Sequence, residues 1–278
     1  DGSEEQKQKW LPQMARFEKI GCFGLTEPLV GSGASGGLLT TAKREGDTWI
    51  LNGEKRWIGN APWCDLSIIW ARDLGDNQVK GFIVENKTTP GFSVEKIENK
   101  IALKVVQNGH ITLKDVRVPE TNRLQGGSSF RDTAKVLKMT RFAVAWMATG
   151  CAMGAYETAL KYAQERLQFG KPIGSFQALK HAAAEIVADV EPARAMLWYA
   201  AYALDTDAAD ASRTAAMAKA RLCDIYSRGT ARAVLMHGGI GFTWEHDMHL
   251  WFKRARFNES YFGSPSFHRE RVATLGAY

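Results

Sequence analysis

The residues Gly31-Ser-Gly33-Ala-Ser-Gly36 match the G-x-G-x-x-G pattern of dinucleotide-binding loops, whose main chain approaches a pyrophosphate seated on a helix N-terminus. That chemistry requires a buried strand delivering the glycines and a helix leaving them. Upstream stands Thr26-Glu27-Pro28, which breaks a strand, and downstream residues 38–58 read as a strand hairpin. The loop is therefore expected to serve another purpose. A second cluster, Glu245, His246, Asp247 and His249, has the residue types that ligate metals, and positions three apart share a helix face. Only two imidazoles meet there and no third ligand is visible, so a capped, solvated helix start is expected, with no metal.

The elements that must position such residues change character along the chain. From about 36 to 119 the runs are strand-like: 48–51, 55–58, 66–70, 81–84, 92–94 and 111–113, with Asn52-Gly53 expected as a hairpin turn because both turn positions favour positive φ. After 126–129 helical periodicity takes over. Val136, Met139, Ala143, Met147, Cys151, Ala155 and Ala159 are expected to form one buried stripe, followed by a break at 170–174. Ser175 is read as the N-cap of a second helix through Leu179, Ala183, Ile186, Val190, Met196, Ala200 and Leu204, which Pro192 should kink or restart. Further helices are expected over 209–236 and 244–258, with a short one after Pro265. The fold class is α+β: a β domain over 21–126, then a C-terminal four-helix bundle over 127–278.

The 278 residues, 45% hydrophobic and 24% charged, supply ample core for one or two domains. The formal charge of +6 is spread without a run of five like charges, so no nucleic-acid surface is expected. Cys22, Cys64, Cys151 and Cys223 form no C-x-x-C pair and read as small buried apolar residues in a reducing, cytoplasmic setting. No run of 18 apolar residues exists, so no membrane span is expected. The polar start, without Met, reads as the inside of a helix. Residues 1–20 are thus expected to be the end of a truncated helical domain.

Four segments taken together resemble the acyl-CoA dehydrogenase family: Leu25-Thr26-Glu27-Pro28 with Gly31-Ser32, then Lys55-Arg56-Trp57-Ile58-Gly59-Asn60, then Glu165-Arg166 with Phe169-Gly170, Pro172 and Phe176-Gln177, and Gly238-Gly239 with Gly241-Phe242. The resemblance covers essentially the whole chain and implies FAD as cofactor, an acyl-CoA substrate, and a helical N-terminal domain missing here. The part up to about Gly170 resembles the glutaryl-CoA and short-chain branch, while residues 237–249 and 263–271 resemble a bacterial branch, so the chain looks mosaic. The resemblance implies that Thr26, Gly31 and Ser32 lie against the flavin or thioester, that Trp57 covers one flavin face, and that the backbone at Ile58 and Gly59 addresses its reactive edge. Read only as residues, Trp57 is a strand side chain facing the core and Arg166 a solvated helix-end charge. In the family, Arg166 and Gln177 resemble positions holding the pyrophosphate and ribose of a neighbouring subunit's FAD. Phe169 packs beside that dinucleotide and the Gly238-Gly239 turn receives it. At least a homodimer is implied, commonly a homotetramer.

The implied reaction is α,β-dehydrogenation, with proton loss at the α-carbon and hydride transfer to flavin N5. Family members place a carboxylate base either in a segment that here reads Tyr261-Phe262-Gly263-Ser264 or just before an Arg matching Arg141. Those two places hold Phe262 and Thr140. Glu259 is the nearest carboxylate along the chain, on a helix turn that points it elsewhere. The Phe262 N–H retains a substrate-binding role, polarising the thioester carbonyl, and Ser264 falls among the cofactor contacts. Three readings follow: a dehydrogenase oxidised by an electron-transfer flavoprotein; a non-catalytic FAD or acyl-CoA-binding partner subunit, possible in a heteromer; or an inactive remnant. An oxidase is a fourth, because many members carry Thr where Gly59 stands.

Overall fold

The computed structural model describes residues 1–31 and 37–276, in two compact units, Asp1–Lys135 and Val136–Tyr278. The architecture is α+β, a curled mixed sheet followed by a helical bundle.

In the first unit, α1 (Glu4–Ala15) starts at a capping box between Ser3 and Gln6, and its Trp10 packs with Leu66 and Ile83. The sheet comprises β1 (Gly21–Gly24), β2 (Thr41–Glu45), β3 (Thr48–Gly59), β4 (Leu66–Asp73), β5 (Val79–Glu85), β6 (Phe92–Lys96) and β7 (Asn108–Pro119). Their order is β1-β4-β2-β3-β7-β6, with β5 on the other side of β4. β1 and β2 both run parallel to β4 and share one edge of it: β1 takes 66–69 and β2 takes 72–73. The chain between them, residues 25–40, leaves the sheet at that edge. Every apolar run read from the sequence lies on a strand. β1 was not foreseen, because Gly-Cys-Phe-Gly has too few residues to show an alternation, so a strand does precede the glycine loop.

The expected turn at Asn52-Gly53 is not one. β3 continues through both residues, and the β2–β3 hairpin turns at Gly46-Asp47. Gly53 holds φ +142° in a bulge against β7, where an added Cβ would lie 2.6 Å from Thr40 Cα. The Asn52 side chain donates to Asp115 Oδ1 (3.0 Å) and accepts from the Asp115 N–H (2.8 Å). Of the two positive φ values expected, only Gly53 has one, and a bulge uses it.

The second unit is built from α2 (Phe130–Glu165), a two-rung hairpin of β8 (Leu167–Gln168) and β9 (Lys171–Pro172), α3 (Gln177–Asp205), α4 (Ala211–His237), α5 (Met248–Ser260) and α6 (Pro265–Leu275). The buried line of α2 is Ala145, Ala148, Ala152, Ala155, Ala159 and Ala163. Val136, Met139, Ala143 and Met147 of the expected stripe are exposed, Met139 by 59%. Alanines let α2 approach Ile186 and Val190 of α3 and Leu222 and Tyr226 of α4 closely, so the smaller residues take the core. α3 runs through Pro192 without a restart and is N-capped by Phe176 rather than Ser175, which closes a 3₁₀ turn over Ile173–Ser175. Beyond Pro192 its buried residues are Ala193, Leu197, Ala200 and Ala203. The helix after Pro265 is present, with Ser264 as N-cap and Pro at the first position.

Candidate functional site

The first constellation lies where residues 25–40 leave the sheet. The Glu27 carboxylate is fully buried and accepts from the N–H groups of Leu39 (2.7 Å) and Thr40 (2.9 Å) and from Lys55 Nζ (2.7 Å). Lys55, also fully buried, donates in addition to the Leu25 carbonyl (3.2 Å), and the Arg56 N–H donates to the Thr26 carbonyl (2.8 Å). One ion pair thus closes the loop's two ends on β3. Burial pushes the Lys55 ammonium down to about 8 despite Glu27. Burial acts upward on the Glu27 carboxyl, but the Lys55 charge and three hydrogen bonds outweigh it and hold it below the ordinary carboxylate range. Both residues stand in motifs quoted from the sequence, which assigned them no role; a Glu and a Lys each next to strand-like runs were the available signal. Gly31 lies at the loop's described edge with φ +54°. Ser32 falls outside the described residues.

Trp57 sits on a second bulge of β3 against β7, between the pairs Lys55↔Ile111 and Ile58↔Gly109, with φ +65°. It is 53% exposed, so it does not face the core as the bare strand reading had it. Its carbonyl accepts from Asn108 Nδ2 (2.9 Å), and the Arg56 guanidinium lies 5.6 Å from its ring centroid. Lys100 Nζ donates to Asn108 Oδ1 (2.5 Å) and to the Leu103 carbonyl (2.8 Å), which fixes the amide that fixes Trp57. Ile58 turns inward into the core and Gly59 pairs with Asn108, leaving the indole outward.

The second constellation is a cavity of about 410 Å³ in the bundle unit, whose lining includes Tyr162, Arg166, Phe169, His237, Gly238 and Gly239. It brings together four residues singled out from sequence. Phe169, at the β8–β9 turn, has φ +53° and is 89% exposed. Gly238 follows α4 with φ +66° and ψ −145°, a conformation open to glycine. Gln177 is the first residue of α3 and exposed; it does not line the cavity, although Phe176 and Leu179 on either side of it do. That helix start carries unpartnered N–H groups and the positive end of the dipole, whereas α4 ends on carbonyls. An anion here would rely on Arg166 and the α3 N-terminus. Sequence reasoning missed Tyr162 and gave His237 no role; their rings stack at 4.4 Å, and His246, read there as part of a solvated helix start, lies 4.4 Å from His237. His246 therefore belongs to this ring stack, and His249 is buried with Lys253 Nζ 3.0 Å from its Nδ1, so the 245–249 segment is less solvated than expected.

The third constellation is the turn at Tyr261–Ser264. Phe262 has φ +58° and Gly263 φ +105°. Fully buried Lys219 of α4 donates to the carbonyls of Asn258 (2.9 Å) and Gly263 (3.0 Å), satisfying the end of α5. The ring of fully buried His268 approaches the Phe262 carbonyl at 2.9 Å through Nε2. Glu259 is engaged elsewhere, by Arg256 (2.8 Å) and Ser227 Oγ (3.4 Å). The Thr140 hydroxyl donates to the Leu137 carbonyl of its own helix (3.1 Å), and the Ser264 hydroxyl caps α6 by accepting from the Phe267 N–H (3.2 Å). Trp57, Phe169 and Phe262, one in each constellation, are all bulky residues held at positive φ. Such strain persists where the surroundings over-determine it, and it gathers at functional sites.

Two family models match the chain: acyl-CoA dehydrogenase, middle domain, over residues 22–116, and acyl-CoA dehydrogenase, C-terminal domain, over residues 127–275. The chain is 33% identical over 276 residues to the mitochondrial short-chain specific acyl-CoA dehydrogenase of Rattus norvegicus, a match covering 98% of this chain and 66% of the relative, which is just under two thirds of its length. It is 37% identical over 267 residues to subunit CarC of the caffeyl-CoA reductase-Etf complex of Acetobacterium woodii, covering 95% and 70%. A glutaryl-CoA dehydrogenase of Mycobacterium smegmatis, solved in complex with FADH2, superposes on all of this chain and 71% of its own with a TM-score of 0.92 at 29% identity. The chain belongs to the acyl-CoA dehydrogenase family, whose members are FAD-dependent flavoproteins. The residues present fit that cofactor: a Cβ added at Gly238 or Gly239 meets nothing within 4 Å, leaving an open cradle beside Arg166, and the Trp57 indole offers a flat apolar face. No helix among the described residues is long and apolar enough to cross a membrane.

Proposed function

We propose that the chain binds FAD and an acyl-CoA and works as an acyl-CoA dehydrogenase-like oxidoreductase. The observation that carries this reading is the half-exposed, left-handed Trp57 beside the loop that Glu27 and Lys55 clamp. Bound FAD supplies the hydride acceptor for α,β-dehydrogenation. The chain's own residues do the rest. Thr26, Gly31, Ser32 and the backbone of Ile58 and Gly59 orient the ring, and Trp57 shields one face of it from water. Arg166 pairs with the pyrophosphate, with Phe169, Gln177, Gly238, Gly239 and Ser264 completing the cofactor contacts of a neighbouring copy. A homodimer or homotetramer follows. The Phe262 N–H donates to the thioester carbonyl, which acidifies the α-carbon.

The electron acceptor in this reading is an electron-transfer flavoprotein; the Acetobacterium relative is by name a subunit of an Etf complex. The four cysteines are free, which suits a cytoplasmic location. A second reading rests on Thr140 and Phe262, neither of which can take a proton: the chain is a non-catalytic FAD or acyl-CoA-binding subunit whose partner supplies the base.

Anaerobic titration of the purified protein with a panel of acyl-CoA esters tests both. A yellow protein bleached by at least one ester supports the dehydrogenase, and a yellow protein bleached by none supports the partner subunit. A colourless protein that takes up no added FAD rejects the dehydrogenase, and one that binds no acyl-CoA either rejects the partner subunit as well.

A further inference from the structure

Cys22 and Cys64 are not the isolated apolar fillers their spacing suggested. Cys22 lies on β1 and Cys64 ends the turn that follows β3, both buried. Cys22 Sγ is 3.1 Å from Ser67 Oγ, Ser67 Oγ donates to Asn86 Oδ1 at 2.7 Å, and Asn86 Nδ2 donates to Cys64 Sγ at 3.0 Å. A polar run, Cys22-Ser67-Asn86-Cys64, with a thiol at each end, is thus set into an otherwise apolar core of Ala42, Leu51, Ile69 and Val84. A structural pair of thiols in such a core needs no donors; a sulfur that must carry negative charge does.

From this geometry we propose that Cys22 and Cys64 form a redox modification site, closing to a reversible intramolecular disulfide when a hydroperoxide reaches them. The neighbouring Cys22 thiol and then the Asn86 amide bring the Cys64 thiol down to about 7 against the effect of burial; the Cys64 thiol, then burial, push Cys22 up. Cys64 is therefore the attacking sulfur and Cys22 the resolving one. In the first step the Cys64 thiolate attacks the peroxide, an S–O bond forms, the O–O bond breaks, and the leaving oxygen takes a proton to depart as water or alcohol. In the second, the Cys22 sulfur displaces hydroxide from the Cys64 sulfenic acid, and the Cys22 proton leaves with it as water. Two thiols lose two electrons and the hydroperoxide gains them. An oxidant as small as hydrogen peroxide suits a buried pair, and reduction by cellular thiols restores the dithiol.

The site is independent of flavin or acyl-CoA binding and is tested without either. The folded protein is treated with hydrogen peroxide, quenched with catalase, unfolded, alkylated and mapped by mass spectrometry. The expected result is joint loss of alkylation at Cys22 and Cys64, a linked peptide joining them, recovery with dithiothreitol, and unchanged Cys151 and Cys223. In Cys22→Ser, dimedone capture of Cys64 should rise about tenfold or more over wild type, since the resolving thiol is gone. Cys22 and Cys64 still alkylatable while Cys151 or Cys223 oxidises, or a Cys64 oxidised beyond dithiothreitol's reach in the wild type, would overturn the proposal. The wild-type map stands whether or not the variant folds.

Discussion

At the scale of single residues, the Glu27–Lys55 pair stabilises the loop only as a pair. Lys55→Met leaves a buried carboxylate without its cation, which costs on the order of 3–5 kcal/mol, and urea denaturation should show it. Glu27→Gln with Lys55→Met should cost less than Lys55→Met alone; an additive or larger loss would mean that the ion pair is not the clamp. Phe262 carries a different expectation. Phe262→Glu keeps the carbonyl that His268 bonds, and so the backbone held at φ +58°, while giving up the packing of the ring against Tyr261 and the bundle core. Phe262→Glu should therefore raise dehydrogenation by about a hundredfold or more in a flavin-loaded sample, the contribution of one positioned base. No gain over wild type would count against placing the substrate at this turn. The sequence made the absence of a carboxylate at 140 and 262 plain, because absence is a matter of residue type. It did not show that Trp57, Phe169 and Phe262 share left-handed backbone, which depends on the bulge of β3 against β7, on the β8–β9 turn and on the turn after α5.

At the scale of elements, the turn after α5 is held by side chains from two other helices, one distant in sequence and one close. Lys219 comes from the middle of α4 and His268 from α6. Burial, with Lys219, Arg141 and Arg271 nearby, brings the His268 imidazole down to about 4. The unfolded chain takes up that proton near 6.5, so between the two values the unfolded state holds more protons than the folded one. Stability from this group is complete above about pH 6.5 and falls as the pH drops toward 4, by up to about 3 kcal/mol. Denaturation series at several pH values should show that acid-side loss shrinking in His268→Gln. An unchanged acid slope would mean that His268 is not buried neutral. The strands from β3 to β7 were readable from apolar runs, since the sheet's buried faces demand them, whereas short β1 and polar β2 carry no such run. Pairing was not: Asn52-Gly53 fits a two-residue turn as well as a bulge, and only the Asn52–Asp115 bonds decide. On α2, large apolar residues looked like the core, but close helix approach selects for alanine, leaving Met139 outside.

At the scale of the whole molecule, the proposed function has a flavin gripped by two copies, the ring by one and the pyrophosphate by the other. Mixing subunits tests that division. Trp57→Gly and Arg166→Ala homomers should each bind little FAD, whereas a randomised mixture should recover about a quarter of the wild-type sites, because one site of each mixed pair is intact. No recovery on mixing would place both residues in one chain's site. The β-then-α order and the four motifs made the α+β fold and the family legible, since each motif is local and their order survives without knowledge of packing. The cavity beside Arg166 was only half legible: Tyr162 and His237 reach it from α2 and the end of α4, and His246 backs His237 from the approach to α5.

β1 and β2 lie end to end along one side of β4, and Glu27 joins the first residues after β1 to the last before β2. The span between is in effect a cassette plugged into a socket. Its length can change at a cost that grows only logarithmically, while strand register stays as it is. Insertion or deletion there would change the reach of this span without redesigning the sheet that carries it.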